Sequence, residues 1–257
     1  MLPSQQFGAL PLHSATDLVT AAVHDIEEAW TQGKIASILT LNVQGAFDSV
    51  LPGRLIHRLQ EQRWPHNIQK WVASFLTDRS ATLKLDGTMS DPLLLSCGLP
   101  QGSPASPVLF MLYIEPLFRI GPLERHKSRF GYADDLCLLA TSHSFSTNCD
   151  ILENDYTELA TWASSEGLTF DSGKSELLHL TRKRTSENPP ISLRSSPSTH
   201  RISPTSTKES LKWLGVHFDH RLSFTIHAKT MAAKAHPIAS HIRSLSNTVR
   251  GARPHLL

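Results

Sequence analysis

The sequence has little cysteine: only Cys97, Cys137 and Cys149 occur in 257 residues, and they are far apart and odd in number. This argues against a disulfide framework and against a structural zinc site. Long apolar runs of the roughly 18 residues that a membrane helix needs are also missing, and Glu115 interrupts the most apolar segment. The N-terminus lacks the basic start and apolar core of a secretory signal. We therefore expect an intracellular protein that is neither secreted nor embedded in a membrane.

The chain also lacks a strong net charge, since its formal charge is only +2, but the charges are unevenly distributed. Residues 201–257 contain nine Lys and Arg against two acidic residues, so the first 200 residues are acidic. A basic tail can hold a polyanion while acidic groups in the body hold cations, which suits nucleic acid chemistry. The alternative is an ordinary solvated basic helix.

Helical and strand patterns alternate along the chain without a regular βα rhythm, which favours an α+β fold. Ser14 and Asp17 form a capping signal for a first helix, and a strand is expected near 35–43. Further patterns predict helices near 52–61, 66–77 and 145–166, a hairpin around Asp86-Gly87, a buried helix after Pro107, one strand over "LKWLGVHF" and a final basic helix from about Ser223. The Ser/Thr/Pro-rich stretch 182–208 is predicted to be a flexible linker.

The segment "FGYADDLCLLA" is the strongest local signal for chemistry. It reads as two apolar strands joined by a tight turn that carries the adjacent carboxylates Asp134 and Asp135. Two neighbouring carboxylates repel each other unless a cation lies between them. Asp pairs are also common in plain solvent turns, but burial of both flanking strands favours a metal platform here.

Three segments in order, "LNVQGAFDSV", "GLPQGSPASPVLFMLYI" and "FGYADDLCLLA", resemble successive motifs of the reverse transcriptases of non-LTR (LINE-like) retrotransposons. "GLTFDSGKSELLHL" and "LKWLGVHFDHRLSF" resemble the next palm motif and the primer grip of that family, and "QQFGALPLHSATDL" resembles its entry into the first palm helix. The resemblance covers residues 5–235. It implies a polymerase palm, an antiparallel sheet with helices packed on one face, with partial fingers before it and the start of a thumb after it.

The resemblance also implies a division of the chain. Residues 1–33 would be a remnant of the fingers with the entry helix, 34–181 the palm with its inserted helices, 182–208 the linker, and 209–257 the primer-grip strand with the start of a basic thumb. Because most of the family's fingers precede this region and its thumb continues further, we expect a truncated element.

The same resemblance assigns roles to individual residues. Asp134 and Asp135 would bind Mg²⁺ or Mn²⁺, and Lys174 would assist the leaving pyrophosphate, although a surface lysine is its alternative. Phe47 would exclude the ribose 2′-hydroxyl, with an ordinary core Phe as its alternative. Gln101 would pack near the incoming nucleotide and template, and Gly98 and Gly102 would let the backbone of that loop approach them closely. The primer grip would be formed by Trp213, Leu214 and Gly215. The implied partners are an RNA template, a DNA primer and deoxynucleoside triphosphates; no protein partner can be inferred.

One position departs from the family. Asn42 stands where the first palm motif supplies a third metal-binding Asp, so the site loses one of three anions. Asp48, six residues further on, is a poor substitute and is expected to be structural. We expect a reverse transcriptase of reduced or absent activity, the alternative being an inactive remnant that at most binds nucleic acid. The compartment stays open, because mobile elements act in cytoplasm and nucleus and related intron enzymes act in organelles such as the mitochondrion.

Overall fold

The computed structural model describes residues 5–121, 127–184, 187–195 and 198–246. In chain order the helices are α1 (Ala15–Thr31), α2 (Pro52–Glu61), α3 (His66–Leu76), α4 (Ala105–Ile114), α5 (Phe145–Ser165) and α6 (Thr225–Ser246). Short 3₁₀ turns occur at Glu115–Phe118 and Ser172–Lys174. None of the helices in these ranges is long and apolar enough to cross a bilayer. Residues 247–257, the end of the expected basic segment, lie outside the described residues.

The central sheet has four antiparallel strands: β1 (Ile35–Asn42), β6 (Lys127–Tyr132), β7 (Asp135–Ser142) and β8 (Glu176–Leu180), in the order β6-β7-β1-β8. β1 is buried along its whole length up to Leu41, as its nearly continuous apolar sequence requires. It pairs with β7 from Ile35 opposite Ser142 to Asn42 opposite Asp135. The α+β class and the antiparallel palm-like sheet are thereby confirmed.

Both faces of this sheet are covered, so the expectation of helices on one face is wrong. Leu39 and Leu41 of β1 belong to a hydrophobic cluster with α2, α3, α4 and α5. Ala36 and Ile38 belong to a second cluster with α1 and the segment 211–218. Successive β1 residues contact the two clusters in turn, because side chains of a strand point alternately to its two faces. Since both faces are buried, nearly every position of the strand is apolar.

Two short segments run along the outer strands of the sheet. Residues 5–7 lie beside β6, where Gln6 bridges Gly131 in parallel and the Phe7 N–H donates to the Gly131 carbonyl over 2.9 Å. At the other side Pro204 bridges Leu177 of β8, and the Thr205 N–H donates to the Leu177 carbonyl over 2.8 Å.

A hairpin occupies much of the segment that the sequence predicts to be a linker. Its strands are β9 (Ile191–Ser195) and β10 (Ser198–Ile202). Ile191 and Leu193 are fully buried and join the cluster that contains Leu152 and Tyr156 of α5. An unstructured linker over 182–208 is therefore wrong for this part of the segment. Two alternating apolar residues among many Ser and Pro are too short a pattern to be recognised as a strand.

A buried polar network holds the chain at Pro189, just before this hairpin. His179 of β8 lies opposite Ser37 of β1, and their Nδ1 and Oγ atoms are 2.7 Å apart. The His179 Nε2 is 2.9 Å from the Pro189 carbonyl, which can only accept, so Nε2 carries the proton and Nδ1 accepts from the Ser37 hydroxyl. Asn148 Nδ2 donates to Ser37 Oγ over 3.1 Å. Burial lowers the pKa of His179, which the Pro189 contact only partly offsets.

The segment "LKWLGVHF" forms a hairpin and not the single strand that the sequence predicts. β11 (Leu211–Trp213) pairs with β12 (Val216–Phe218) around Leu214 and Gly215, whose φ angles are 49° and 82°. Positive φ at both central residues is the two-residue hairpin turn that matches the twist of the strands. The remaining short strands β2 (Ser80–Ala81), β3 (Lys84–Leu85), β4 (Thr88–Met89) and β5 (Leu93–Leu94) form an exposed arm with the expected turn at Asp86-Gly87.

Candidate active site

The pairing of β1 with β7 brings Asn42 and Asp135 face to face at one end of the sheet. Asn42 is the last residue of β1 and lies directly opposite Asp135, the first residue of β7. Asp134 precedes it in the tight turn that the sequence predicts, where Ala133 has a φ of 56°. The Val43 N–H donates to the Asp134 carbonyl over 3.1 Å, which ties the turn to the end of β1. Three polar side chains from two distant segments thus converge.

The Asn42 amide bridges the two carboxylates. Its Nδ2 donates to Asp134 Oδ2 over 3.3 Å and to Asp135 Oδ1 over 3.4 Å. All three side chains are half-buried. Burial, followed by the negative charge of Asp134, raises the pKa of Asp135, while the Asn42 amide and Lys174 offset part of this rise. The pair is therefore electrostatically crowded, and a neutral donor supplies part of the compensation that a cation would give.

Lys174 lies on the edge of this group rather than inside it. Its side chain is largely exposed, and its Nζ is 3.5 Å from Oδ2 of Asp171. Asp171 in turn is held beside the site, because its N–H donates to the Asn42 carbonyl over 2.9 Å. The lysine is close enough to lower the pKa of Asp135. Its position is compatible with both interpretations, an aid to a leaving anion and a surface lysine.

Phe47 and Gln101 border a common cavity of about 540 Å³ that is also lined by Pro100, Gly102 and Ser103. The Phe47 ring is half-buried and its centroid is 5.4 Å from that of Phe110 in α4. Gln101 and Gly102 are exposed at the loop that precedes α4. The structure therefore brings these predicted nucleotide-binding residues together.

The two glycines of this loop serve different purposes. Gly98 has a φ of 87°, and a Cβ there would lie 3.1 Å from the Cα and the carbonyl oxygen of Asp48, so glycine lets this loop pack closely on the Asp48 backbone. Gly102 has a φ of 86° with open space around the position of a Cβ, so glycine is favoured there by the backbone conformation and not by a close neighbour.

The predicted primer-grip residues lie on the same face of the sheet as the carboxylates. Trp213 is buried in the cluster with α1 and Cys137, and Leu214 packs against it. Side chains alternate between the two faces of a strand, so Asn42 lies on the same face as Ile38 in β1, and Asp135 lies on the same face as Cys137 in β7. Ile38 and Cys137 belong to the cluster that contains Trp213. The hairpin and the carboxylates thus border the same side of the palm.

Sequence reasoning missed two supporting residues. A Cβ on Gly8 would lie 2.5 Å from the backbone nitrogen of Ala133, so the N-terminal segment packs directly on the carboxylate turn. Asp48 accepts from Gln101 Nε2, with Oδ1 at 3.1 Å. The sequence pointed to Gly8 only through its place in "QQFG", which resembles the family's entry segment. Nothing in the sequence indicated that Asp48 contacts Gln101.

The oxygen ligands that this site offers to a metal suit one divalent cation better than two. Asp134 and Asp135 offer anionic oxygens of the kind that Mg²⁺ prefers, and rotation of the Asn42 amide would present its oxygen as a third ligand. A second ion would have to share the same two anions. Among the described residues, another group that could bind a metal is formed by His24, Asp25 and Glu28 on α1, which is a separate cluster.

A four-stranded antiparallel sheet with packed helices and paired carboxylates at one strand end is the architecture of a polymerase palm. Residues 1–218 match the family of reverse transcriptases (RNA-dependent DNA polymerases). The chain belongs to this family.

Curated relatives come from non-LTR retrotransposons. The chain is 26% identical to a probable RNA-directed DNA polymerase from transposon BS of Drosophila melanogaster, over 96% of this chain and 27% of the relative. It is 25% identical to the RNA-directed DNA polymerase of the mobile element jockey of the same organism, over 88% of this chain and 24% of the relative. The chain thus spans about a quarter of the length of these relatives.

Among solved structures, the fold is similar to telomerase. Apo telomerase from Candida tropicalis, truncated from its C-terminal domain, matches with a TM-score of 0.59 at 10% identity, over 86% of this chain and 40% of that one. Telomerase from Candida albicans in complex with a fragment of telomeric RNA matches with a TM-score of 0.57 at 14% identity, over 82% and 34%. The palm architecture is shared at very low sequence identity.

Proposed function

We propose that this chain is the palm of an RNA-directed DNA polymerase that adds deoxynucleotides to a primer 3′-hydroxyl on an RNA template. The observation that carries the proposal is the convergence of Asp134, Asp135 and Asn42 at one strand end, in a chain of the reverse transcriptase family. In the reaction the primer oxygen bonds to the α-phosphorus, and the bond to the pyrophosphate breaks. Bound Mg²⁺ or Mn²⁺ supplies activation of the primer oxygen and compensation of phosphate charge.

The chain's own residues bind and orient the reactants. Asp134 and Asp135 would hold the cation, Phe47 would form the wall against which the nucleotide sugar packs, and Gln101 lines the cavity beside it. Lys174, at the edge of the site, is placed to stabilise negative charge on the departing pyrophosphate. Trp213 and its hairpin border the side on which the primer end would lie.

We further propose that the activity is reduced by Asn42. The amide contributes no negative charge, and its nitrogen faces both carboxylates. Loss of one preorganised electrostatic group costs about 3–4 kcal/mol of transition-state stabilisation, or roughly 100- to 1000-fold in rate. The wild-type chain should therefore extend primers slowly.

Primer extension tests both parts of the proposal. An RNA template with a labelled DNA primer is incubated with Mg²⁺ and deoxynucleotides, and the wild-type chain is compared with Asn42→Asp and with Asp135→Asn. We expect slow extension by the wild type, extension about 100-fold or more faster by Asn42→Asp, and none by Asp135→Asn. Equal rates for the wild type and Asn42→Asp would refute the role given to Asn42.

A binding measurement separates a slow polymerase from an inactive remnant. α6 projects exposed Lys229, Lys234 and His236 from the body of the protein, which suits contact with a phosphate backbone. Salt-dependent binding of template and primer without extension, even by Asn42→Asp, would favour a nucleic-acid-binding remnant over an enzyme.

A further inference from the structure

Two loops that line the cavity at Phe47 and Gln101 are joined by a set of hydrogen bonds. The first loop, residues 47–50, follows β1, and the second, residues 98–101, precedes α4. The Leu99 N–H donates to the Phe47 carbonyl and the Gly98 N–H to the Val50 carbonyl, each over 2.7 Å. These short backbone bonds hold the second loop on the first.

One side-chain contact completes this junction. Gln101 Nε2 donates to Asp48, with Oδ1 at 3.1 Å and Oδ2 at 3.4 Å. Because the amide nitrogen donates to the carboxylate, the orientation of the amide is set, and its oxygen points away from Asp48 as an acceptor for a ligand. Asp48 lies next to Phe47 in sequence, so one short segment holds the aromatic gate and orients Gln101.

We propose that Asp48 is a positioning residue for nucleotide binding, which acts through Gln101 and couples that side chain to the gate at Phe47. This inference rests on the proposed function, because it assumes that the cavity between Phe47 and Gln101 receives the nucleotide. Both side chains of the Asp48–Gln101 pair are exposed in the free protein. Their hydrogen bond therefore contributes little to stability in water and gains strength when a nucleotide and template cover it.

The test uses two substitutions of Asp48 that differ in hydrogen bonding. Asp48→Asn keeps an oxygen acceptor for Gln101 and removes the charge, whereas Asp48→Ala removes the acceptor. Nucleotide affinity is measured without catalysis, by titrating a deoxynucleotide into the chain bound to an RNA template whose fluorescent DNA primer ends in a dideoxynucleotide. We expect Asp48→Ala to weaken nucleotide affinity about ten-fold, because the hydrogen bond that orients the Gln101 amide is lost.

The conservative variant separates positioning from a structural role. Asp48→Asn should stay within about two-fold of the wild type, since the acceptor is retained. Affinity for the template and primer alone should be the same in all three proteins. Equal nucleotide affinity of Asp48→Ala and wild type would overturn the proposal, and so would an Asn variant as weak as the Ala variant.

A measurement on the free protein keeps this test distinct from that of the proposed function. The side-chain amide protons of Gln101 are followed by ¹⁵N NMR and assigned from their loss in Gln101→Ala. They should shift in Asp48→Ala and stay close to their wild-type positions in Asp48→Asn. A wild type that binds no nucleotide but shows this pattern would refute the proposed function and leave the orientation of Gln101 by Asp48 intact. Unchanged amide signals in Asp48→Ala would refute the contact itself.

Discussion

Asn42 and Asp135 are direct cross-strand partners at the end of the central sheet, and the Asn42 amide nitrogen lies 3.4 Å from the Asp135 carboxylate. The same nitrogen reaches Asp134 over 3.3 Å. A neutral amide therefore reduces the repulsion between two carboxylates without a bound ion. An Asp at this position would instead add a third negative charge.

Asn42→Asp should consequently make stability depend on divalent cations. Without metal, the loss of the donor and the added charge should lower the melting temperature, by about 2–4 °C for each kcal/mol lost in a chain of this size. Addition of Mg²⁺ or Mn²⁺ should raise the melting temperature of the variant by more than it raises that of the wild type. Thermal melting in EDTA and in each metal measures this. Asn42→Ala, which removes the donor without adding charge, is the control, and a melting temperature of Asn42→Asp that is indifferent to metal would contradict our account.

Gly8→Ala should displace the carboxylate turn. The added Cβ would lie 2.5 Å from the Ala133 nitrogen, which is backbone and cannot rotate away. Overpacking of this kind costs about 1–3 kcal/mol, so urea unfolding should show a lower midpoint. Gly53→Ala in α2 is the matched control, because nothing lies within 4 Å of its added methyl group. That substitution should be neutral or slightly stabilising, and equal losses in both variants would argue against a specific contact at Gly8.

Stability should fall as the pH is lowered from about 7 to 5. His179 has a pKa below its ordinary value of 6.5, so the stability that the neutral, buried imidazole contributes is fully present above pH 6.5. Below that pH the unfolded chain takes up a proton that the folded chain excludes, at a cost of up to about 1.4 kcal/mol per pH unit. His179→Gln should flatten the dependence of the urea midpoint on pH. Some slope should remain, because burial also lowers the pKa of His217. An unchanged slope would show that His179 is not responsible.

Leu193→Ala should test the hairpin that replaces the expected linker. Leu193 is fully buried against α5, and removal of such a side chain costs about 2–5 kcal/mol. Arg194→Ala, one residue further on the exposed side of β9, should change the free energy of unfolding by less than about 0.5 kcal/mol. Similar small effects for both substitutions would support a mobile linker after all.

The sequence predicted most of the long elements and the convergence of the site. β1, α1 and α5 follow from strong apolar periods and caps, and the Ser14–Asp17 capping box is present. The grouping of Asn42, Asp134 and Asp135 followed from family resemblance, since no local pattern indicates that residues 92 positions apart are paired. The division of the chain into fingers, palm and thumb stays a prediction.

The features that escaped prediction depend on contacts between distant segments. The β9 strand owes its existence to burial of Ile191 and Leu193 against α5 and not to its own composition. The contact of Gln101 with Asp48 requires the docking of two loops, which no spacing in the sequence encodes. The covering of both sheet faces was indicated only by the nearly continuous apolar sequence of β1.

The segments that flank β6 and β8 have a consequence for assembly. An outer strand with unpaired backbone groups is a template on which another polypeptide can add a strand. Here Gln5 and Phe7 occupy hydrogen-bonding positions beside β6, and Thr205 occupies one beside β8. Around Gly131 and Leu177 these backbone groups are therefore not available for strand addition. Removal of the residues before Gly8 would free the backbone groups of Gly131 at the edge of β6 and should increase the tendency to aggregate.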